Sequence, residues 1–215
     1  MAKAIAIMGE SGSGKTTSMR NLDPASTLYI DCDKKGLSWK GWRKTFNADK
    51  KNYYCTDHPE MALQYLKMAN ERESAKHIKV IVFDTINGLM VADEMRRMRE
   101  KNYDKWMDLA ASIYNLIDYA LTVREDLTPI FIAHTQTDHD DNGYMFTRIK
   151  TSGRKLDKIT LESKFSTVLL AKCLDGRYVF ETQSENSTAK SPMGAFTEKQ
   201  IDNDITLVLK ALEDF

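Results

Sequence analysis

A glycine-rich segment near the start of the sequence has the spacing needed to bind a phosphate chain. Residues 9–16 read GESGSGKT and match the pattern G-x-x-x-x-G-K-[ST] at every fixed position. Glycines let the backbone turn so that successive N–H groups converge on phosphate oxygens. Lys15 is expected to reach the β and γ phosphates, and the Thr16 hydroxyl is expected to bind Mg²⁺. The predicted nucleotide-binding residues are Gly9, Glu10, Ser11, Gly12, Ser13, Gly14, Lys15, Thr16 and Thr17.

The segments on either side of this loop are of the kind that the motif requires. Residues 3–8 form an apolar run that predicts a buried strand, and residues 15–22 are predicted to form a short helix. The positive N-terminal end of that helix would add to the attraction for phosphate. A glycine-rich turn that binds nothing is the alternative interpretation.

A second candidate site residue, Asp84, ends the apolar segment VIVFD at 80–84. A nearly continuous apolar run is typical of a central strand that is covered on both faces. The carboxyl end of such a strand lies at the edge where open α/β sheets bind ligands. Asp84 is therefore predicted to hold Mg²⁺, directly or through water, although an aspartate in this position can also serve only as a helix cap.

The remaining pattern alternates between strands and helices. Strands are predicted at 27–31, 129–134, 166–171 and 177–181, and helices at 59–71, at 88–126 with a break near 101–104, and at 197–212. The order predicts one α/β domain over residues 1–215, with a mostly parallel sheet flanked by helices and a C-terminal β-hairpin. Residues 135–161 show no clear period and are predicted to form a mobile loop.

The composition excludes several classes of protein. Hydrophobic residues make up 42% of the chain and charged residues 29%, as in an ordinary soluble protein, and no apolar run approaches the roughly 18 residues of a membrane span. We therefore expect no membrane association and a cytoplasmic location. The three cysteines lie far apart, which disfavours a zinc site or a disulfide framework. A net charge of zero argues against a protein coated in basic charge.

With the phosphate loop and the strand ending in Asp84, the chain resembles RecA-like P-loop ATPases. It particularly resembles small AAA/RecA-type proteins encoded by bacteriophages, some of which act in single-strand annealing or recombination. The resemblance spans nearly the whole chain and implies a P-loop NTPase fold, ATP and Mg²⁺ as cofactors, and hydrolysis that is slow without DNA or assembly. It also implies the host cytoplasm and a homo-oligomer with ATP at the subunit interface. Since the first predicted strand begins at residue 3, no polymerisation domain is expected before it, and another interface is expected to serve for assembly.

The resemblance also implies roles for four further residues. Asp33 matches the family position that activates the attacking water, and Asp31 is the alternative. His134 ends the strand that carries the family's γ-phosphate sensor, which is usually glutamine; Gln136 lies two positions later. Lys190 fits a lysine that reaches the γ-phosphate of a neighbouring subunit. Structural roles, such as capping a turn or lying on the surface, are the alternatives for each.

The loop at 135–161 falls where recombinases carry a DNA-binding loop. Basic residues are in excess from Arg148 onwards, and Tyr144 and Phe146 could stack on bases. A cluster of acidic residues at 138–141 precedes them, and a charged loop is often merely solvated. The predicted residues for contact with single-stranded DNA are Arg148, Lys150, Arg154, Lys155 and Lys158.

Two other functions share the phosphate loop. One is a nucleotide-gated switch that binds a protein partner, which a net charge of zero leaves open. The other is a nucleotide kinase or another phosphotransferase. The acidic residues after the second strand and the late β-hairpin favour the RecA-like ATPase over the phosphotransferase.

Overall fold

A nine-stranded sheet forms the centre of the protein. The computed structural model describes residues 3–100, 104–139, 142–152 and 160–215. The strands are β1 (Ile5–Gly9), β2 (Thr27–Asp31), β3 (Tyr53–Cys55), β4 (Val80–Asp84), β5 (Thr128–His139), β6 (Met145–Ile149), β7 (Thr167–Leu174), β8 (Arg177–Glu181) and β9 (Gln200–Asp202).

The strand order is that of an open α/β sheet. The main path runs β3-β2-β4-β5-β1-β7-β8-β9, and β6 pairs with β5 outside it. From β3 to β7 all pairs are parallel, whereas β7-β8 and β8-β9 are antiparallel. This arrangement confirms the predicted α/β P-loop NTPase fold with a C-terminal β-hairpin.

Helices cover both faces of the sheet. In the described ranges they are α1 (Pro59–Glu71), α2 (Ile86–Arg96), α3 (Asp104–Ala120) and α4 (Ile205–Ala211), with short 3-10 helices at Thr17–Met19, Trp42–Lys44, Glu73–Ala75 and Leu161–Lys164. Among the residues that the structure describes, no helix is long and apolar enough to cross a membrane.

Side-chain alternation along the strands creates two separate cores. In β1, Ala6 and Met8 pack with α1, α2 and α3 on one face, whereas Ile5 and Ile7 pack with α4 on the other. The central strands β2 and β4 are buried at every position. Because a strand with two covered faces needs apolar residues throughout, its sequence shows a run rather than an alternation. The predicted bounds of β2 and α1 are confirmed.

The parallel register brings the predicted site residues to one edge. Gly9 at the end of β1 pairs with His134 in β5, and Asp31 at the end of β2 pairs with Asp84 at the end of β4. The carboxyl ends of these strands therefore surround the phosphate loop.

The prediction of an irregular loop at 135–161 is wrong for part of that range. Strand β5 continues to His139 and pairs antiparallel with β6, from Thr135 opposite Ile149 to His139 opposite Met145. This β5–β6 hairpin projects past the main sheet and is only partly buried. The sequence of the hairpin shows no apolar period because neither face of its outer part packs against the hydrophobic core.

The predicted helix at 197–212 is also shorter than expected. Residues 200–202 form β9, which pairs with β8, and α4 begins only at Ile205. The Asp204 carboxylate accepts from the N–H of Thr206 at 3.0 Å and so caps the helix at that point.

Candidate nucleotide-binding site

The phosphate loop connects β1 to a single turn of 3-10 helix. Gly12 and Gly14 have φ angles of 79° and 89°, a region that favours glycine. Ser13 N–H donates to the Glu10 carbonyl at 3.2 Å, which closes the turn. In the described chain, the N–H groups of Gly14, Lys15 and Thr16 have no hydrogen-bond partner. Adjacent free donors of this kind form a nest that suits an anion.

The helix predicted at residues 15–22 is wrong in length. Only Thr17–Met19 is helical, as a 3-10 turn, and the Ser18 hydroxyl donates to the Lys15 carbonyl at 2.6 Å. Threonine and serine are poor helix formers because their side chains restrict or compete with the backbone. A helix dipole therefore contributes less to phosphate binding than expected, and the loop amides contribute more.

Lys15 is a buried cation directed into the loop. Its side chain donates to the carbonyls of Gly9 at 2.8 Å and Glu10 at 2.6 Å, and the residue is 6% exposed. Burial lowers its pKa to about 8, while the charge of Asp84 acts in the opposite direction. An ammonium that has already lost its water shell can exchange these carbonyls for phosphate oxygens.

Asp84 and Thr16, the two residues predicted to bind magnesium, are in direct contact. The Thr16 hydroxyl donates to Asp84 Oδ2 at 2.6 Å, and the other carboxylate oxygen, Oδ1, is buried without a hydrogen bond. Burial raises the pKa of Asp84, although nearby Lys35, with its Nζ 4.0 Å from Oδ1, opposes this shift. One hydroxyl and one free carboxylate oxygen suit Mg²⁺, which takes few protein ligands and completes its shell with water and phosphate. The residues present therefore fit this ion.

Tyr29, a residue that was not predicted from the sequence, holds the carboxylate of the candidate magnesium site. It is fully buried in β2, and its hydroxyl donates to Asp84 Oδ2 at 2.7 Å. With Oδ2 held by Thr16 and Tyr29, the second oxygen is the one left for a metal. A tyrosine inside an apolar strand is a weak signal, because its ring alone would explain its burial.

Replacing Tyr29 by phenylalanine is expected to raise the Mg²⁺ concentration at half-maximal ATPase activity by roughly tenfold, since loss of such a supporting bond typically costs that much metal affinity. A magnesium titration of turnover at saturating ATP would measure the effect. Tyr53→Phe is the matched control, because that hydroxyl donates to Asp31, not to Asp84, at 2.6 Å. An unchanged magnesium midpoint in Tyr29→Phe would show that the hydroxyl does not position the carboxylate.

The structure distinguishes Asp31 from Asp33. Asp31 is 1% exposed, and its Oδ2 accepts from Gly36 N–H at 2.7 Å and from the Tyr53 hydroxyl at 2.6 Å. These bonds give Asp31 a structural role in the turn after β2.

Asp33 is the more accessible of the two carboxylates. Its oxygens accept from the Thr85 hydroxyl at 2.9 Å and from Lys35 at 2.6 Å. A Cβ at Gly88 would lie 2.3 Å from Asp33 Oδ1, so the carboxylate packs against the first turn of α2. Asp33 is therefore better placed to orient and deprotonate water.

His134 lies beside the phosphate loop. It pairs with Gly9, and burial together with the nearby charge of Lys15 lowers its pKa. A neutral imidazole can donate one hydrogen bond to a phosphate oxygen. Gln136 lies farther along the β5–β6 hairpin and donates to Asp138 at 3.1 Å.

Asn87, a further residue that the sequence analysis missed, joins α2 to the β5–β6 hairpin. Its Oδ1 accepts from the N–H of His134 at 2.7 Å, and its Nδ2 donates to the carbonyl of Lys150 at 2.7 Å. Lys150 N–H in turn donates to the His134 carbonyl at 2.8 Å. The base of the hairpin is thereby fixed to the helix that follows Asp84.

Lys190 lies away from the phosphate loop of its own chain. Its backbone pairs with Val168, and the register places Val168 opposite Ala6 rather than opposite the end of β1. Ala6 lies three strand positions before Gly9, which corresponds to about 10 Å at roughly 3.3 Å per residue. Lys190 is therefore about that far from the end of β1 along the strand direction.

The predicted DNA-binding residues are only partly described. Arg148 lies in β6 and is 3.3 Å from Asp138, and Lys150 is exposed directly after β6. Two neighbouring lysines of the basic stretch are also paired, Lys164 with Asp118 and Lys172 with Glu181, each at 2.8 Å. Among the described basic residues of this stretch, Arg148, Lys164 and Lys172 are thus paired with carboxylates. Arg154, Lys155 and Lys158 lie outside the described residues.

Comparison with known proteins agrees with this geometry. The family model of the AAA domain, AAA_24, matches residues 1–193. No curated protein matches the chain. Proteins of the AAA family are generally ATPases that bind ATP, typically with Mg²⁺. Because the match covers most of the sequence, the chain belongs to the AAA domain family of P-loop ATPases.

Proposed function

We propose that this protein is a magnesium-dependent ATP hydrolase whose nucleotide state controls binding of single-stranded DNA by the β5–β6 hairpin. The observation that carries the proposal is the position of Asn87. It lies three residues after Asp84 and bonds the hairpin through His134 and Lys150. A change at the metal-binding carboxylate is therefore transmitted through one side chain to the hairpin.

Each of the described site residues has a separate role in hydrolysis. Lys15 and the loop amides bind and polarise the phosphates, and Asp33 orients the water and accepts its proton. Mg²⁺, held by Thr16 and Asp84, would neutralise charge on the phosphate oxygens. His134 donates a hydrogen bond to the terminal phosphate and, through its backbone, reports occupancy to Asn87.

Assembly of several copies would complete the site. Lys190 pairs with Val168 at a level about 10 Å from the end of β1, too far to reach the loop of its own chain, which supports a role towards a neighbouring subunit. A cation supplied in this way would tie turnover to oligomer formation.

For the DNA-binding step, we expect joint replacement of Arg148, Lys150, Arg154 and Lys155 by alanine to weaken binding of single-stranded DNA. The plot of log affinity against log salt should become shallower by about 0.7 for each DNA phosphate that the variant no longer neutralises. Fluorescence anisotropy with a labelled oligonucleotide, at several salt concentrations and with a non-hydrolysable ATP analogue, measures both effects.

A matched variant provides the control for charge alone. Lys44, Lys50, Lys51 and Lys76 are all exposed, and their replacement by alanine removes the same total charge from outside the hairpin. Equal effects of the two variants, or no binding by the wild type at low salt, would contradict the DNA proposal while leaving the ATPase assignment intact.

One observation favours a nucleotide-gated switch as the second candidate. Val91, Met95 and Met98 are 51%, 59% and 65% exposed, at or just after the C-terminal half of α2. Helix α2 directly follows Asp84 and Thr85, so the same nucleotide signal could move an apolar surface. Absence of DNA binding in the wild type would make this protein-binding role the leading one.

A further inference from the structure

Asn203, directly after β9, carries a buried amide without a partner. The residue is 4% exposed, and both Nδ2 and Oδ1 lack a hydrogen bond in the part of the chain that is described. Its backbone is held firmly, because its N–H donates to the Tyr178 carbonyl at 3.3 Å and its carbonyl accepts from Arg20 at 2.7 Å. Since an unpaired buried amide destabilises a fold, an amide held in this way is a candidate for ligand binding.

The amide lies directly against the phosphate loop. A Cβ at Gly14 would be 3.1 Å from Asn203 Oδ1 and 2.7 Å from Cδ1 of Tyr178. Both side chains therefore touch the residue that precedes Lys15. Tyr178, in β8, is 46% exposed, so one large ring beside the loop remains open to solvent.

The sheet order sets the direction in which a nucleotide would lie. Asp84 ends β4, which is separated from β1 by β5, whereas β7 and β8 lie on the opposite side of β1. A triphosphate with its terminal phosphate near Asp84 and Asp33 must direct its nucleoside away from them. That direction leads to the side of the loop where Tyr178 and Asn203 lie.

We propose that Tyr178 and Asn203 form the base-binding part of the nucleotide site and select adenine. This inference rests on the proposed function, since it requires a nucleoside triphosphate in the loop. The Tyr178 ring provides a stacking surface. The Asn203 amide offers an acceptor beside a donor, which matches the N6 amino group and N7 of adenine, whereas guanine presents two acceptors at that edge. Because Asn203 is 4% exposed, the base would reach its amide only after a neighbouring side chain, such as the exposed ring of Tyr178, rotates.

The test compares magnesium complexes of ATP, GTP and inorganic tripolyphosphate by calorimetry. The wild type should prefer ATP to GTP. Tyr178→Ala and Asn203→Leu should each bind ATP roughly tenfold to a hundredfold more weakly, as expected when a base loses its stacking or hydrogen-bonding partner, and should bind tripolyphosphate normally. Tyr178→Phe should retain ATP affinity, and Arg177→Ala in the same strand is the control for general changes in the hairpin.

Failure of the inference and failure of the proposed function give different results. If the wild type binds none of the three compounds, the loop does not bind nucleotide and the proposed function fails. If both variants keep the wild-type affinity and preference for ATP, the base site is wrong and the phosphate site stands.

A measurement of folding separates a ligand role from a structural one. Because its amide has no partner among the described residues, Asn203→Leu should leave the unfolding temperature of the nucleotide-free protein unchanged or higher. If Asn203→Leu unfolds at a lower temperature, the amide is structural and its part in base selection is overturned. Tyr178→Ala then tests only whether the ring stacks on the base. Unchanged ATP affinity in that variant overturns the proposal that Tyr178 binds the base.

Discussion

Replacement of Lys15 by alanine is expected to weaken binding of the magnesium–ATP complex at least a hundredfold. Two charge-assisted hydrogen bonds at about 1.5–3 kcal/mol each correspond to a loss of that size or greater. The ammonium is buried, and its present partners are the carbonyls of Gly9 and Glu10. No other described cation makes such contacts inside the loop, so none can replace it.

Isothermal titration calorimetry with ATP and Mg²⁺ would measure this loss. Lys40→Ala is the matched control, because Lys40 is exposed and has no ion pair within the described ranges. The fold should tolerate Lys15→Ala, since removing a buried cation relieves a desolvation penalty. Wild-type affinity in this variant would refute the assignment of residues 9–16 as the phosphate site.

Asp33→Ala is expected to reduce the ATPase rate constant by about 10²–10⁴-fold, the usual contribution of a general base. Affinity for ATP should change little, because within the described chain the hydrogen bonds of the Asp33 carboxylate go to Thr85 and Lys35 and not to the phosphate loop. The measurement is steady-state hydrolysis together with a separate determination of the Kd for ATP.

Asp31 provides the comparison for this experiment. Because its carboxylate is buried and accepts from Gly36 and Tyr53, Asp31→Ala should mainly lower the unfolding temperature. Normal turnover in Asp33→Ala, combined with lost turnover in a stably folded Asp31→Ala, would transfer the catalytic role to Asp31.

Contiguous motifs and apolar runs were predictable from the sequence. The phosphate loop was predictable because its glycines and lysine are neighbours in the chain and act through local geometry. Strands such as β2 and β4 were predictable because strands buried at every position appear in the sequence as apolar runs. The β5–β6 hairpin was missed because its pairing partners lie on a partly exposed ribbon without an apolar period. The short turn after the loop was missed because serine and threonine side chains compete with helical hydrogen bonds.

By itself the sequence determined that the chain has a phosphate loop, a carboxylate at the end of a buried strand, and an α/β order of elements. Tertiary structure alone decided which groups surround them: Tyr29 beneath Asp84, Asn87 at the base of the hairpin, and Tyr178 with Asn203 against Gly14. These contacts join residues far apart in the chain. They depend on strand order and register, whereas a motif records only the conformation of adjacent residues.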